Sequence, residues 1–290
     1  IQIGSSMEIS ELKIFLAVAQ RGSISRAAED LHCVQSNVTA RIRQLEERLG
    51  TSLFYRKSRG VTLSPSGHLL LDYAERIIRL TREAKDAITN PDEPKGRLSI
   101  GSMETTAAVR LPPLLAAYHR SFPQVELNLV TGPSEESLRR LLDFQIDGAF
   151  VAGELVNEAV VADKVFDEEL LLVAPPDTKP FEQGDNLRIL VFRAGCSYRA
   201  RLEAWLRTTG RLPYQVMEFG SIEGILGCIA AGMGISILPR SFVERPQYQD
   251  NCSLHSLPGD AGEMTTWFVR RRHEKPGKAM QAFMDLIITK

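Results

Sequence analysis

The residues best suited to chemistry lie between Gln35 and Arg43: Gln35, Ser36, Asn37, Thr39, Arg41 and Arg43. Amide side chains can bond an adenine edge, arginine can fork onto guanine, and a threonine methyl tolerates the methyl of thymine. Carboxylates, which a phosphate backbone would repel, are missing from the stretch until Glu46 and Glu47. Such a face could read the major groove of DNA. The alternative is an ordinary solvated helical hairpin.

A helix must hold these side chains outward, and the apolar residues between them supply one. Val38, Ile42, Leu45 and Leu49 line one face at the α-helical period, and Gly50 stops the run. At about 100° per residue, Ser36, Ala40 and Arg43 point the other way. A shorter helix precedes it, with Ile24, Ala27, Ala28 and Leu31 at i, i+3, i+4 and i+7 and Ser23 placed to cap it after Gly22. Ser23, Ser25 and Arg26, in its first turn, join the candidates for nucleic-acid contact. Two short helices joined by a tight turn predict a helix-turn-helix. Leu12, Phe15, Leu16 and Ala19 form the stripe of a first helix packed beneath the pair. After Gly50, Leu53 and Phe54 anchor a basic hairpin in which Arg56, Lys57 and Arg59 lead to a glycine and Val61-Thr62-Leu63 alternates like a strand. Beside a helix-turn-helix this is a wing, placed to touch phosphates or the minor groove. A solvated turn is the plainer reading.

From Ser64-Pro65-Ser66-Gly67 a long helix is expected to about Asn90. Leu70, Tyr73, Ile77, Leu80, Ala84 and Ala87 alternate spacings of three and four, a heptad seam suited to dimerisation. Packing on the C-terminal part of the same chain is the other reading. Asn90-Pro91-Asp92-Glu93-Pro94-Lys95-Gly96 holds two prolines, a glycine and no apolar residue, and reads as a hinge.

With these residues in view, the first ninety positions resemble the DNA-binding head and linker helix of LysR-type transcriptional regulators. The resemblance rests on Gly22-Ser23-Ile24-Ser25-Arg26-Ala27-Ala28, on Gln35, Thr39, Ile42, Leu45-Glu46 and Leu49-Gly50, on Leu53-Phe54 with Arg56, and on Leu63-Ser64-Pro65-Ser66-Gly67. Val34 stands where the family usually has Ser, and Ala40-Arg41 replaces a common Arg-Gln pair. These departures bear on base preference rather than on the binding mode.

The remainder alternates strand and helix patterns. Strands are expected at 98–101, 125–130, 146–151, 170–174, 189–192, 215–219 and 234–238. Helices are expected at Thr105–His119, Glu135–Phe144, Arg199–Thr208, Ile222–Ala231 and Lys278–Ile288. Such alternation predicts parallel sheets with helices on both faces. The pattern restarts after Pro175-Pro176, which predicts two lobes joined by crossovers near Val165–Glu168 and Thr265–Phe268. The resemblance agrees, since the family's effector-binding region looks like a periplasmic solute-binding protein, and Ala231–Pro239 is similar to its glycine-rich stretch.

Ligands of open α/β sheets collect at the carboxyl ends of strands. Three such ends carry candidates for effector binding: Ser102 and Thr105, Thr131 and Ser134, and the run Arg193 to Arg199 with Cys196, Ser197 and Tyr198. Hydroxyls, arginines and a helix N-terminus favour an anion. Read structurally, the same residues are N-caps and surface arginines. Cys196 beside Arg193 and Arg199 could also be a redox sensor. The family's peroxide sensors resolve such a cysteine with a second one a few residues on, and here the next is Cys228.

Composition narrows the classes. The chain has 290 residues, 43% hydrophobic and 24% charged, with a net charge of −1. That charge is unevenly spread: residues 7–66 hold 9 Lys/Arg against 6 Asp/Glu, and residues 97–290 hold 21 against 24. Four distant cysteines and five scattered histidines make no zinc spacing, and no GxSxG, P-loop, HExxH or paired-carboxylate signature appears. No enzyme activity, cofactor or metal is therefore expected. No signal peptide precedes Met7, the segment before it is set aside as upstream sequence, and the longest apolar run, Ile225–Leu238, is too short for a bilayer. A cytoplasmic protein with no membrane contact is expected.

The sequence thus predicts a multidomain chain. An all-α winged helix-turn-helix head (7–66) and linker helix (67–90) precede a hinge (91–96) and an α/β two-lobed, periplasmic-binding-protein-like domain (97–290). Lobe 1 takes about 97–167 and 267–290, and lobe 2 about 168–266. The expected function is transcription regulation on double-stranded promoter DNA, modulated by a small carboxylate-bearing effector. RNA polymerase is a further partner, and the chain pairs with itself as a homodimer, or as the tetramer the resemblance implies. A redox-responsive regulator and a DNA binder without effector are the alternatives.

Overall fold

In the computed structural model, the apolar stripes of the first fifty residues become three helices around one core. Residues 7–57, 60–89, 93–176, 187–248 and 251–288 are described, without the side chains of 82, 83, 86, 87 and 89. The chain divides into two compact units, Ile1–Pro91 and Asp92–Lys290. In the first, α1 (Ile9–Arg21), α2 (Ile24–Asp30) and α3 (Gln35–Leu49) bury Leu12, Phe15, Val18, Ala27, Ala28, Val38, Ile42 and Leu45 together. Leu49, expected in that stripe, is exposed, being the last helical residue before the left-handed Gly50. Buried Glu11 accepts a two-pronged bond from Arg48, at 2.7 and 3.0 Å, and so ties α1 to α3.

The wing is an antiparallel pair, β1 (Phe54–Lys57) and β2 (Gly60–Leu63). Its placement is specific. The Val61 amide donates to the Gly22 carbonyl at 2.9 Å, and Glu46 Oε1 accepts the amides of Leu53 and Phe54 at 2.7 and 3.2 Å. Gly60, at φ 126°, passes so close that a Cβ there would lie 2.4 Å from the Gly22 oxygen. Arg59 lies outside the described residues, as does the start of the expected hinge.

The long helix α4 (Pro65–Thr89) enters under Ser64, whose Oγ accepts the Gly67 amide at 3.0 Å. The expected seam is divided. Leu70 and Ile77 pack on the head core, beside Leu71 and Ile78, because α4 crosses α1 there. Tyr73, Leu80 and Ala84 face solvent, and with them Leu69 and Ile88. The Ala87 side chain is outside the described set.

In the second unit, the first lobe is built from β3 (Gly96–Ser102), α5 (Glu104–Val109), α6 (Leu111–Ser121), β4 (Val125–Thr131), α7 (Ser134–Leu142) and β5 (Gly148–Ala152). The helix expected over 105–119 is broken at Arg110, because Pro112 and Pro113 lack the amides a continuous helix would use and suit a new first turn. A 15-residue strand, β6 (Val160–Ala174), then runs into the second lobe. There follow β7 (Leu187–Phe192), α8 (Ser197–Thr208), β8 (Tyr214–Phe219), α9 (Ile222–Ala230), β9 (Ser236–Pro239), α10 (Arg240–Val243) and β10 (Ser253–Ser256). The chain returns through β11 (Glu263–Arg271) to α11 (Lys278–Ile288), where the Tyr118 hydroxyl donates to the Ala279 carbonyl at 2.7 Å.

The sheets are mixed rather than parallel throughout. β3 pairs in parallel with β4 and β5, and β7 with β8, but β11 lies antiparallel to β5 and β6, and β6 antiparallel to β9 and β10. The segments expected as crossovers, 165–168 and 265–268, lie inside the β6–β11 pair. The two paired strands themselves make the crossing from one lobe to the other. The register shifts between Thr266 and Trp267, so that Val165 is passed over, a β-bulge at the middle of the ribbon. Phe150, Phe268, Phe283 and Tyr118 centre the first lobe, and Leu172, Val191, Leu202 and Ile237 the second.

Candidate functional site

Two sets of polar residues stand out, one in each unit. In the first, Gln35 opens α3 behind the exposed Val34, which makes no capping bond. Its Oε1 accepts the Ser25 hydroxyl at 3.1 Å, leaving the amide nitrogen to donate elsewhere. Thr39 spends its hydroxyl on the Gln35 carbonyl at 2.9 Å, so its methyl is the group left for a partner. Arg43 Nε donates to Glu47 at 2.8 Å in an exposed i,i+4 pair, worth less than about 1 kcal/mol and open to exchange for a stronger acceptor. Ser36, Asn37 and Arg41 are exposed on the same helix, and Arg26 on α2. Ser23 is a helix cap, accepting the Arg26 amide at 3.4 Å. Arg56 and Lys57 are exposed on β1.

In the second unit, a cavity of about 90 Å³ opens at the carboxyl ends of four strands. Met103, Glu104 and Thr105 follow β3, Thr131, Gly132 and Pro133 follow or end β4, Phe192, Arg193, Cys196 and Tyr198 follow or end β7, and Phe219 and Gly220 follow or end β8. Of the residues expected to bind an effector, the structure brings Thr105, Thr131, Arg193, Cys196 and Tyr198 together. Three others are used elsewhere. Ser102 is fully buried and donates to the Met103 carbonyl. Ser134 accepts the Ala152 amide at 3.1 Å, and Ser197 donates to the Ala152 carbonyl at 2.6 Å. A shallower groove, of about 600 Å³, runs along the edge strand β4 from His119 to Leu129, away from these strand ends.

The charges at the cavity are not those expected. Arg199 turns away to Glu203 and Glu218, at 2.8 and 2.6 Å. Arg193 reaches Glu136 at 3.3 Å, and Glu136 also holds Arg140 at 2.7 Å, so two cations share one carboxylate on this rim. Opposite in sign is Glu104, which no motif in the sequence marks. Burial raises its carboxyl above the usual range, with Glu223 nearby as a like charge. Its one bond among the described residues is a long one, 3.4 Å, from the Ile222 amide. Burial likewise pushes the Cys196 thiol up, in the direction opposite to a reactive thiolate. Among the described residues no cluster suited to a metal ion is found.

Several bonds cross between the lobes around this cavity. The Thr105 and Tyr198 hydroxyls lie 2.9 Å apart, and Glu168 on β6 accepts Arg110 Nε at 2.8 Å and the Ser241 hydroxyl at 2.9 Å. A ligand entering between the strand ends would touch elements of both lobes at once.

A winged helix-turn-helix with an exposed amide- and arginine-bearing helix, in one chain with a two-lobed cleft, defines the class of ligand-responsive DNA-binding regulators. Residues 9–68 match the model for bacterial regulatory helix-turn-helix proteins of the lysR family, and residues 91–290 match the LysR substrate binding domain. The chain belongs to the LysR family of transcriptional regulators, which are not enzymes. It is 44% identical over 281 residues to the HTH-type transcriptional regulator GltR of Bacillus subtilis, covering 96% of this chain and 95% of that one. It is 41% identical over 281 residues to the HTH-type transcriptional regulator SoxR of an Arthrobacter species, covering 97% of this chain and 96% of that one. Full-length CbnR, solved in complex with its target DNA, shares the fold with a TM-score of 0.71 at 24% identity, covering 97% of this chain and 99% of that one. The protein is thus a DNA-binding LysR-type regulator with an effector-binding domain. No helix among the described residues is long and apolar enough to cross a membrane.

Proposed function

We propose that the protein is a cytoplasmic regulator that reads promoter DNA through α3 and the wing, and that a small, carboxylate-bearing effector in the cleft resets it. The observation that carries this reading is the cavity of about 90 Å³ at the ends of β3, β4, β7 and β8, rimmed by Arg193 and opening on the start of α8. A 12-residue helix start and a guanidinium with a shared counter-ion both favour an anionic group. Gln35, Asn37, Arg41 and Arg43 are the base-reading candidates, and Arg56, Lys57 and Arg59 the phosphate contacts. The exposed side of α4, with Tyr73, Leu80 and Ala84, is the surface for a homodimer, and tetramers follow from the family. At a promoter, RNA polymerase is the further partner. The domain limits that go with this reading are 7–66, 67–90, 91–96 and 97–290. Footprinting of the purified protein on the DNA upstream of its own gene tests the first half. Mass spectrometry of small molecules that co-purify with the protein tests the second. Absence of any protected sequence would overturn the reading of α3.

A further inference from the structure

The cleft is electrically two-sided. On one rim, Arg193 shares Glu136 with Arg140 beside the Thr131–Gly132 turn, and the Glu135 side chain packs against Gly195 on the same side. On the other, Glu104 faces the same cavity with Glu223 close enough to repel it. A carboxylate in such a half-buried place ordinarily takes several donors. Among the described residues, Glu104 has the single long bond from Ile222, at 3.4 Å. Phe219 stands next to Gly220 on this side of the wall, offering an aromatic surface of the kind that attracts cations. The volume, about 90 Å³, holds only a handful of water-sized groups.

We infer that the occupant is a small zwitterion, its carboxylate toward Arg193 and the Thr131–Gly132 turn and its ammonium toward Glu104. This rests on the reading of the cleft as the effector site and adds the second charge to it. An anion alone would leave Glu104 half-buried with its long bond from Ile222 and a like charge nearby. A cation alone would leave Arg193 with only the carboxylate it shares with Arg140, at 3.3 Å. A molecule carrying both, a few bonds apart, satisfies both rims, so Glu104 is the residue that selects an amino acid over the matching acid.

The test uses the full-length protein with three matched probes: alanine, propionate and ethylammonium, each followed by a longer homologue. Binding is read by calorimetry, and its place by hydrogen exchange of Glu104–Val109 and of the first turn of α8. Alanine or its homologue is expected to protect both segments, with the single-charge probes binding about tenfold more weakly or less, one charge-assisted bond being lost in each. Glu104→Gln, which keeps the shape, should abolish the preference for amino acid over acid. Arg193→Gln should abolish the preference for amino acid over amine. Melting curves of both variants control for folding. Propionate binding in the cleft as tightly as alanine, or a Glu104→Gln protein that keeps the preference, overturns the zwitterion and leaves the effector site standing. If no probe of any charge protects the cleft, the effector reading falls, and this inference with it.

Discussion

The hydroxyls of Thr105 and Tyr198 stand 2.9 Å apart, both buried, one on α5 of the first lobe and the other on α8 of the second. Burial holds the phenol protonated, so the pair is a neutral bond between lobes that also forms part of the cavity wall.

Loss of either partner leaves the other hydroxyl buried without this bond. Tyr198→Phe and Thr105→Val should each cost about 1–3 kcal/mol of stability in the ligand-binding unit, and the double variant less than the sum of the two. Denaturant unfolding of the three variants, fitted with a common slope, gives the comparison; fully additive costs would deny the bond its part.

At the head, Arg48→Met leaves Glu11, 1% exposed, as a buried carboxylate without its cation. Removing one member of such a pair costs about 3–5 kcal/mol, and somewhat less here because Arg48 is itself 25% exposed. The expected result is a head that melts well below the rest of the chain, followed by circular dichroism at helical wavelengths. An unchanged melt would mean that Glu11 finds water or another donor.

On DNA, Gln35→Ala and Arg43→Ala should each weaken specific binding by about 1–3 kcal/mol, with little effect on random sequence. Arg56→Ala and Lys57→Ala should weaken all DNA alike and lower the slope against salt by about one each. Fluorescence anisotropy over a salt series separates the two patterns. A specific loss from the wing variants would reverse the assignment.

Assembly is best probed away from the head core. Tyr73→Lys with Leu80→Lys places charge on the exposed side of α4 and should lower the mass seen by light scattering while the head stays folded. Ile77→Lys should instead destabilise the head, since Ile77 packs on its core. If the exposed pair leaves the mass unchanged, the copies meet elsewhere.

Cys196 should alkylate slowly in the native protein, and mild peroxide should leave DNA affinity as it was. The thiol is half-hidden at the N-cap of α8, raised by burial, and one of four free cysteines. Rapid labelling at neutral pH would reopen the redox alternative.

Much of the head was legible because its core is local: Ala27, Val38, Ile42 and Leu45 are set by helical period and by the glycines that end each run. Period alone could not say what each stripe meets. Leu70 and Tyr73 carry the same heptad signal, yet one packs on α1 and the other is exposed, a difference made by the crossing of two helices far apart in sequence. In the cleft, the strand ends were legible and the polar side chains less so. Ser134 and Ser197 both go to the backbone of Ala152, at separations of 18 and 45 residues, which no local pattern records. Arg199 adds charge to the run in sequence, but Glu203, four residues on, is the partner it takes. Glu104 carries no local signal, since an acidic residue in the first turn of a helix is also the ordinary partner of its dipole.

Because β6 and β11 remain hydrogen-bonded from one lobe into the other, the lobes cannot slide or separate freely about their connection. What a two-stranded ribbon does most easily is twist, and the bulge at Val165, where local twist is greatest, makes that the softest place. Opening of the cleft is then a rotation about the long axis of the ribbon, with a swivel near its midpoint. A few degrees there would sweep the parts of each lobe far from the ribbon through a longer arc than the parts beside it. The ligand's message would leave the domain as torque rather than as a push.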